Sequence, residues 1–271
     1  MILSADPAVL LAVAAMLCYM GALLPGASDR RWPVHLLFAA WVMHAIVLLS
    51  GAGVWAGDGE GLRLGFAPVL SFTVWLVLAV HGVESRFLPV AMARRALAVA
   101  GAMAVLLAWV FPGEVRAIAH SRWAPLHWVL GITSYGLFGA AVLHAVLLDT
   151  ADKRLRHRGS PGGSGTIGAG AGLPLLTLER LTFRFVEAGF VVLTLALWLG
   201  LQSESQWRWD RKSVLSVLGW ATFAALIAGR WGRGWRGRQA TRWLYAGSLL
   251  LLLAYAGTRF VYEVVLQRPP A

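Results

Sequence analysis

Gln206–Ser213 reads QWRWDRKS and shows how the chain is organised, because this polar, aromatic segment lies between two apolar runs. The run before it ends near Leu201 and the run after it begins at Val214, and each is long enough to cross a bilayer. Tryptophan favours the membrane–water interface, since its ring is apolar while its N–H needs a hydrogen-bond partner. The segment therefore predicts an interfacial loop. It is either an ordinary aromatic belt with snorkelling cations, or a flat aromatic platform with cations for the carboxylates of a planar ligand.

The composition is that of a membrane protein. Of the 271 residues, 58% are hydrophobic and only 14% are charged, whereas a soluble domain has roughly a quarter of its residues charged. The formal net charge is +11, but the basic residues alternate with apolar runs instead of forming one face, so no nucleic-acid partner is predicted. The single cysteine, Cys18, excludes disulfides and cysteine metal clusters within one chain.

The apolar runs predict an all-α, polytopic integral membrane helix bundle with about eight transmembrane helices. Each run is near the ~20 residues that a helix needs to cross the ~30 Å hydrocarbon core. The predicted spans are 8–24, 34–53, 66–84, 96–111, 124–148, 185–201, 214–229 and 243–266.

The spans are expected to form one membrane domain, 1–271, in two parts. Five helices lie in 1–148 and three in 181–271. Between them, 149–180 is a loop with the Gly- and Ser-rich composition of a flexible linker. The stretch from Leu173-Pro174 to Glu187 is predicted to form a short amphipathic lead-in to the sixth span.

The basic residues predict the orientation of the bundle. Fifteen Arg or Lys residues lie in the odd-numbered loops between spans and six in the even-numbered loops. Because cytoplasmic loops are enriched in Lys and Arg, the odd loops are predicted to be cytoplasmic. Both termini and the tryptophan segment would then lie outside.

Three histidines are predicted inside the spans, where burying an ionisable side chain is costly and often serves a function. His44 lies about 15 Å into the second span, near the midplane. His81 and His144 lie within about 6 Å of the cytoplasmic ends of the third and fifth spans. Each is either a polar group satisfied by a neighbouring helix, or part of an axial ligand pair or a proton path.

A fourth histidine, His127, is predicted at the outward start of the fifth span, since Pro125 suits the first turn of a helix. It would share that face of the membrane with Trp207 and Trp209. Haem requires an imidazole for its iron, aromatic rings against the macrocycle and cations for its propionates, so this face is a candidate haem site.

Arg259 and Glu263 are spaced i, i+4 in the outer third of the last span. This spacing predicts an ion pair that satisfies itself near the interface. The alternative is that Arg259 reaches a haem propionate.

Residues 207–238 resemble the tryptophan-rich stretch and following helix of the cytochrome c assembly family, the haem-handling membrane proteins of the CcsA/CcmC type. The matching residues are Trp207, Trp209, Asp210, Lys212, Trp220, Arg230 and the run Gly234-Trp235-Arg236-Gly237-Arg238. Pro125-Leu126-His127 resembles the start of the helix that bears the family's first external histidine. Within the family, the chain is most similar to the short YpjD-like branch.

The resemblance implies a protein of the bacterial inner membrane that binds haem b and assists its handling in cytochrome c assembly, without catalysis of its own. Haem and the lipid bilayer are the implied partners, together with other cytochrome assembly proteins. A permease-type subunit with a histidine proton relay and a b-type electron carrier are the alternative functions.

The resemblance also implies residue roles at an external haem. His127 would ligate the iron, and Trp207 and Trp209 would cover the ring. Arg208, Arg211 or Arg259 would neutralise propionates, and Asp210 would fix an indole N–H, an arginine or the loop itself. The family pattern has a second histidine after the tryptophan segment, but the last histidine of this sequence is His157. The sixth iron position would therefore fall to His120, to a non-protein ligand or to none.

Overall fold

The computed structural model describes residues 7–24, 32–51, 62–85, 91–116, 123–158, 175–203 and 210–266, and these form the predicted all-α architecture. Helices suit a chain in lipid because every backbone polar group finds its partner within the same segment. The long helices are α1 Pro7–Gly21, α2 Trp32–Gly51, α3 Phe66–Glu84, α4 Ala91–Val110, α5 Ala124–Arg158, α6 Leu175–Ser203, α7 Arg211–Arg233 and α8 Gly237–Leu252.

Seven helical segments among the described residues are long and apolar enough to cross a membrane, and α1 is shorter, at 15 residues. The third span is confirmed at both of its predicted ends. By contrast, α5 continues to Arg158, and α6 begins at Leu175 and absorbs the predicted lead-in. Hydropathy detects only the apolar part of a helix, whereas Ala, Leu, Lys and Arg continue it until Gly or Pro intervenes.

A small ribbon accompanies the helices, and the sequence did not predict it. Strand β1, Leu62–Leu64, pairs antiparallel with β2, Glu114–Arg116, so that Leu62 lies opposite Arg116. β1 immediately precedes α3, and β2 follows α4. A two-stranded ribbon is marginal on its own, so its stability depends on the helices that it joins.

The last span contains two π-helical turns. After α8, the chain forms a π turn at Leu253–Gly257, the short helix α9 at Thr258–Phe260, and a second π turn at Val261–Val265. Arg259 lies between these turns. π turns within helices are frequent at functional sites.

The chain divides into two compact units, Met1–Trp128 with Tyr255–Ala271, and Val129–Ala254. This boundary differs from the sequence-based division at 149–180. Linker composition marks where a chain is expected to be flexible, whereas the units reflect which helices pack together. The five-plus-three arrangement remains a prediction, and residues 159–174 of the loop lie outside the described ranges.

In the first unit, helices pack closely at small residues. A Cβ added to Gly101 of α4 would lie 2.6 Å from Cζ of the buried Tyr19 of α1. α2 and α3 are joined by Trp41 and Trp75, each of which donates its indole N–H to the other's carbonyl oxygen at 3.1 Å. Small residues and interhelical hydrogen bonds are what hold helices together in lipid, where there is no hydrophobic driving force between them.

In the second unit, the core is aromatic. The rings of Phe138 and Phe223 stack with centroids 3.8 Å apart, and Gly189 and Gly247 make room for them. The hydroxyl of Tyr135 donates to the carbonyl oxygen of Leu251 at 2.7 Å. This packing connects α5, α6, α7 and α8.

Candidate functional site

His44 is the centre of a buried hydrogen-bonded chain in the first unit. Its Nδ1 lies 3.0 Å from Tyr19 Oη and its Nε2 lies 2.7 Å from Ser71 Oγ, and all three side chains are fully buried. The chain joins α1, α2 and α3. Both ring nitrogens are engaged, so iron ligation by His44 would require one of these bonds to break, and that role remains a prediction.

Both of these partners were missed by the sequence analysis. Tyr19 and Ser71 are 25 and 27 positions from His44, in other helices. Spacing within one helix therefore carries no signal for them.

His81 and His144 lie in different units of the chain. His81 is in the last turn of α3 and is buried, at 7% exposure. His144 lies within α5 and is buried, at 3% exposure. Their burial agrees with the predicted positions inside the spans, while an axial pair formed by the two remains a prediction.

The ring of His144 has a defined orientation. Its Nδ1 lies 2.7 Å from the carbonyl oxygen of Ala140, one turn earlier in α5. Its ring stacks on Phe185 with centroids 5.4 Å apart and planes inclined by 26°. A carbonyl oxygen only accepts hydrogen bonds, so Nδ1 carries the proton and Nε2 carries the lone pair of the neutral imidazole.

His127 lies in the first turns of α5, as its distance from Pro125 predicted. α5 begins at Ala124, and the backbone N–H of His127 donates to the carbonyl oxygen of Trp123 at 3.0 Å. The imidazole is partly exposed. His120, the alternative ligand, lies outside the described residues.

Of the tryptophan segment, Trp207, Arg208 and Trp209 lie outside the described residues, and Asp210 caps α7. Asp210 Oδ1 accepts from the backbone N–H of Ser213 at 2.7 Å, an N-cap bond that satisfies one of the unpaired amides of a helix start. This bond anchors the start of α7, and a contact of Asp210 with an indole N–H or an arginine remains a prediction.

Arg259 and Glu263 form the predicted i, i+4 pair, with Nη1 and Oε1 4.0 Å apart. Both side chains are largely buried, so the pair is deeper than a surface salt bridge. Glu263 Oε2 also accepts from the backbone N–H of Phe66 at 3.4 Å. The Arg259 guanidinium lies 5.6 Å from the centroid of the Tyr255 ring. Its role at a haem propionate remains a prediction.

Two further polar contacts hold the second unit, and neither was expected. Tyr245 of α8 donates to Asp149 of α5 at 2.9 Å. Arg230 of α7 lies 2.8 Å from Glu179 of α6, and its guanidinium packs 3.6 Å from the centroid of the Phe183 ring.

The described residues contain no group of three or more His, Cys, Asp or Glu side chains that could hold a metal ion. Haem iron has a less demanding requirement, because the porphyrin supplies four ligands and the protein only one or two axial side chains. Among the described residues, single histidines are thus the fit to consider, and the ring of His144 is fixed by one hydrogen bond and one aromatic contact.

Residues 64–266 match the family described as Cytochrome C assembly protein. The chain belongs to this family. The match extends from β1 to the end of the last span. It therefore includes His81, His127, His144 and the whole tryptophan segment, but not His44.

Relatives of this member of the cytochrome c assembly family include an inner membrane protein and proteins of cytochrome c biogenesis. It is 28% identical to the inner membrane protein YpjD of Escherichia coli (strain K12), over 94% of this chain and 98% of that one. It is 24% identical to a cytochrome c biogenesis protein CcsA of Prochlorococcus marinus (strain SARG), over 87% of this chain and 84% of that one. With CcsA of another strain of that species, MIT 9215, it shares 28% identity over 52% of each chain. No solved structure matches it.

The similarity to an inner membrane protein agrees with the membrane-spanning helices. This member of the cytochrome c assembly family is a multi-pass protein of the bacterial inner membrane. Its orientation in that membrane remains a prediction.

Proposed function

We propose that this cytochrome c assembly protein binds haem and assists its handling, without catalysing a reaction of its own. Membership of the family supports a role in cytochrome c assembly. The observation that best supports haem binding is the hydrogen bond from His144 Nδ1 to the carbonyl oxygen of Ala140.

This bond prepares His144 for iron. Histidines that ligate metals commonly donate their other ring N–H to a carbonyl oxygen or a carboxylate, which fixes the tautomer and the direction of the ring. In His144 that bond assigns the proton to Nδ1, so Nε2 is the nitrogen that would ligate iron. Phe185 against the ring and the low exposure of His144 keep water away from it.

A bound haem would supply an iron for a histidine to ligate, and haem b is held without a covalent bond to the protein. The chain's own contribution is to hold the imidazole, to surround the macrocycle with apolar side chains and to exclude water. We propose His81 as a further buried ligand, since it is also an intramembrane histidine.

His127 is the proposed ligand for an external haem. It is partly exposed at the start of α5, so an incoming ligand can reach it more readily than the buried histidines. Trp207 and Trp209 belong to this proposal on the ground of sequence alone. Other cytochrome assembly proteins are the proposed recipients of the haem.

The absorption spectrum of the purified protein tests the proposal. We expect protein purified in mild detergent from haem-replete cells to show a Soret band, with a measurable haem-to-protein ratio. His144→Ala should lower that ratio while the protein still inserts, and His35→Ala, an exposed histidine at the start of α2, should leave it unchanged. Protein without haem, or a ratio that His144→Ala leaves unchanged, would contradict the proposal for this residue.

A proton relay is the second candidate function, because Tyr19, His44 and Ser71 form a continuous buried chain. Each of these groups can both accept and donate a proton. A relay predicts proton flux in proteoliposomes that contain a pH-sensitive dye, and its loss in His44→Ala. Haem-free protein with such a flux would favour the relay over haem binding.

A further inference from the structure

The connection between α7 and α8 forms a strongly basic surface. Residues 230–243 contain five arginines, three tryptophans and no acidic residue. Arg230 is paired with Glu179 at 2.8 Å. The other four arginines are exposed and, with two exposed tryptophans, make up the basic surface: Trp231, Arg233, Arg236, Arg238, Arg242 and Trp243.

The turn that presents these side chains is held firmly. Gly234 ends α7 in the left-handed conformation, at φ +65°, and its N–H donates to the carbonyl oxygen of Arg230 at 3.1 Å. The N–H of Trp235 donates to the carbonyl oxygen of Gly229 at 3.2 Å. The indole of Trp235 lies directly on Gly229, where an added Cβ would be 2.4 Å from the ring. A partner of the basic surface therefore finds its backbone already ordered, which lowers the entropic cost of binding.

The position of the basic surface narrows the class of partner. α7 and α8 are both membrane-spanning candidates, and only residues 234–236 join them. The surface must therefore lie where two spans end, at the depth of the phospholipid headgroups. Trp231 is 76% exposed, and exposed tryptophan is typical of that depth. A soluble polyanion would account for the arginines but not for the tryptophan beside them.

We propose that the basic surface binds the headgroup phosphates of anionic phospholipids. Arginine offers several N–H donors in a planar fork and can bind one phosphate through two of them. Clusters of Lys and Arg next to a membrane span attract anionic lipid, each residue adding to the affinity. The bound lipid would lie against α7 and α8, within the second unit.

Native mass spectrometry of the detergent-purified full chain tests the proposal, with phosphatidylglycerol and phosphatidylcholine of the same acyl chains as probes. We expect phosphatidylglycerol to bind more tightly. Arg236→Gln/Arg238→Gln should weaken its binding by roughly 25-fold, at about fivefold for each arginine. The matched control is Arg63→Gln/Arg95→Gln, which removes the same charge from exposed positions in β1 and α4. The control should weaken phosphatidylglycerol binding by less than about twofold, because salt screens charges that lie far from the basic surface.

Several outcomes would overturn the proposal. Equal binding of the two lipids would show that charge is not recognised. An equal loss of phosphatidylglycerol binding in the control variant would show that binding depends only on the net charge of the protein. Displacement of phosphatidylglycerol by inorganic pyrophosphate, without a lipid preference, would assign the surface to soluble phosphates. Arg236→Lys/Arg238→Lys keeps the charge, so phosphatidylglycerol should still bind more tightly than phosphatidylcholine, and loss of this preference in folded protein would also contradict the proposal.

Discussion

The carboxylate of Glu263 accepts a hydrogen bond from the backbone amide of Phe66 at 3.4 Å, although 197 positions separate the two residues. α3 begins after Gly65, which has no side chain to cap it. The acid from the last span therefore takes the place of a local N-cap, and its charge lies at the positive end of the helix dipole. The start of the third span and the end of the last are thereby tied together within the first unit.

Gly65 permits this contact, so we expect Gly65→Ala to destabilise the protein. The added Cβ would lie 2.8 Å from Gly113 Cα and 2.9 Å from Glu263 Oε2, and the backbone of Gly113 cannot easily yield. Overpacking of this kind costs about 1–3 kcal/mol. The measurement is the apparent midpoint of thermal unfolding in mild detergent.

Gly82→Ala is the matched control, since nothing lies within 4 Å of a Cβ at that position in the same helix. Alanine should be neutral or stabilising there, by up to about 1 kcal/mol. Equal midpoints for the two variants would show that the close approach at Gly65 is not needed.

Local sequence patterns predicted the helices, but they did not predict contacts between residues far apart in the chain. The bounds of α3 follow from the apolar run between Gly65 and Ser85. The i, i+4 spacing of Arg259 and Glu263 predicted their pairing, because neighbours on one helix are fixed by its geometry. The cap at Phe66 depends on how distant helices pack, and nothing in the sequence around Phe66 specifies it.

The hydrogen-bonded chain at His44 gives a second prediction. Tyr19→Phe removes one interhelical bond and should lower stability by roughly 1 kcal/mol. Because both nitrogens of His44 are engaged, neither Tyr19→Phe nor His44→Ala should change the haem-to-protein ratio. A lower ratio in His44→Ala, at normal insertion, would identify His44 as an iron ligand after all.

The orientation of the bundle gives a third prediction. Fusions after Arg95 and after Arg238 should report the cytoplasm, and a fusion after Ser205 should report the outside. The reason is the excess of Arg and Lys in the odd-numbered loops. A fluorescent reporter active only in the cytoplasm and a phosphatase active only outside measure this in pairs. The inverted pattern would move His127 and the tryptophan segment to the cytoplasmic face, and would end the proposal of an external haem.

Asp210 allows a structural role to be separated from a role at haem. Asp210→Ala removes the bond to Ser213 and should cost about 1 kcal/mol, whereas Asp210→Ser restores a capping oxygen and should recover most of it. If Asp210 is only a cap, the haem-to-protein ratio should follow stability in both variants. A ratio that stays low in a stable Asp210→Ser protein would show that the carboxylate itself serves the haem.

The sequence identified the candidate histidine ligands, but it could not show which of them is best placed to bind haem iron. Burial depth follows from counting residues along a span, and His44, His81 and His144 are indeed buried. His44 Nε2 is bonded to Ser71 on another helix, whereas His144 Nδ1 is bonded to Ala140 on its own helix. The i−4 carbonyl beside His144 is available to any helical histidine in the right rotamer, so only the structure shows that this one uses it.

The last prediction concerns the external haem. His127→Ala should abolish external haem binding, because the imidazole is the proposed axial ligand, whereas His120→Ala should not. Trp209→Ala should weaken binding by about three- to tenfold, as loss of one aromatic contact implies, without removing it. Haem titration of detergent-purified protein, followed by the Soret band in a His81→Ala/His144→Ala background, isolates this site from the buried ligands. Loss of binding in His120→Ala alone would mean that His120 is the ligand. If none of the three changes affects binding, the tryptophans are an ordinary interfacial belt and the segment has no part in haem recognition.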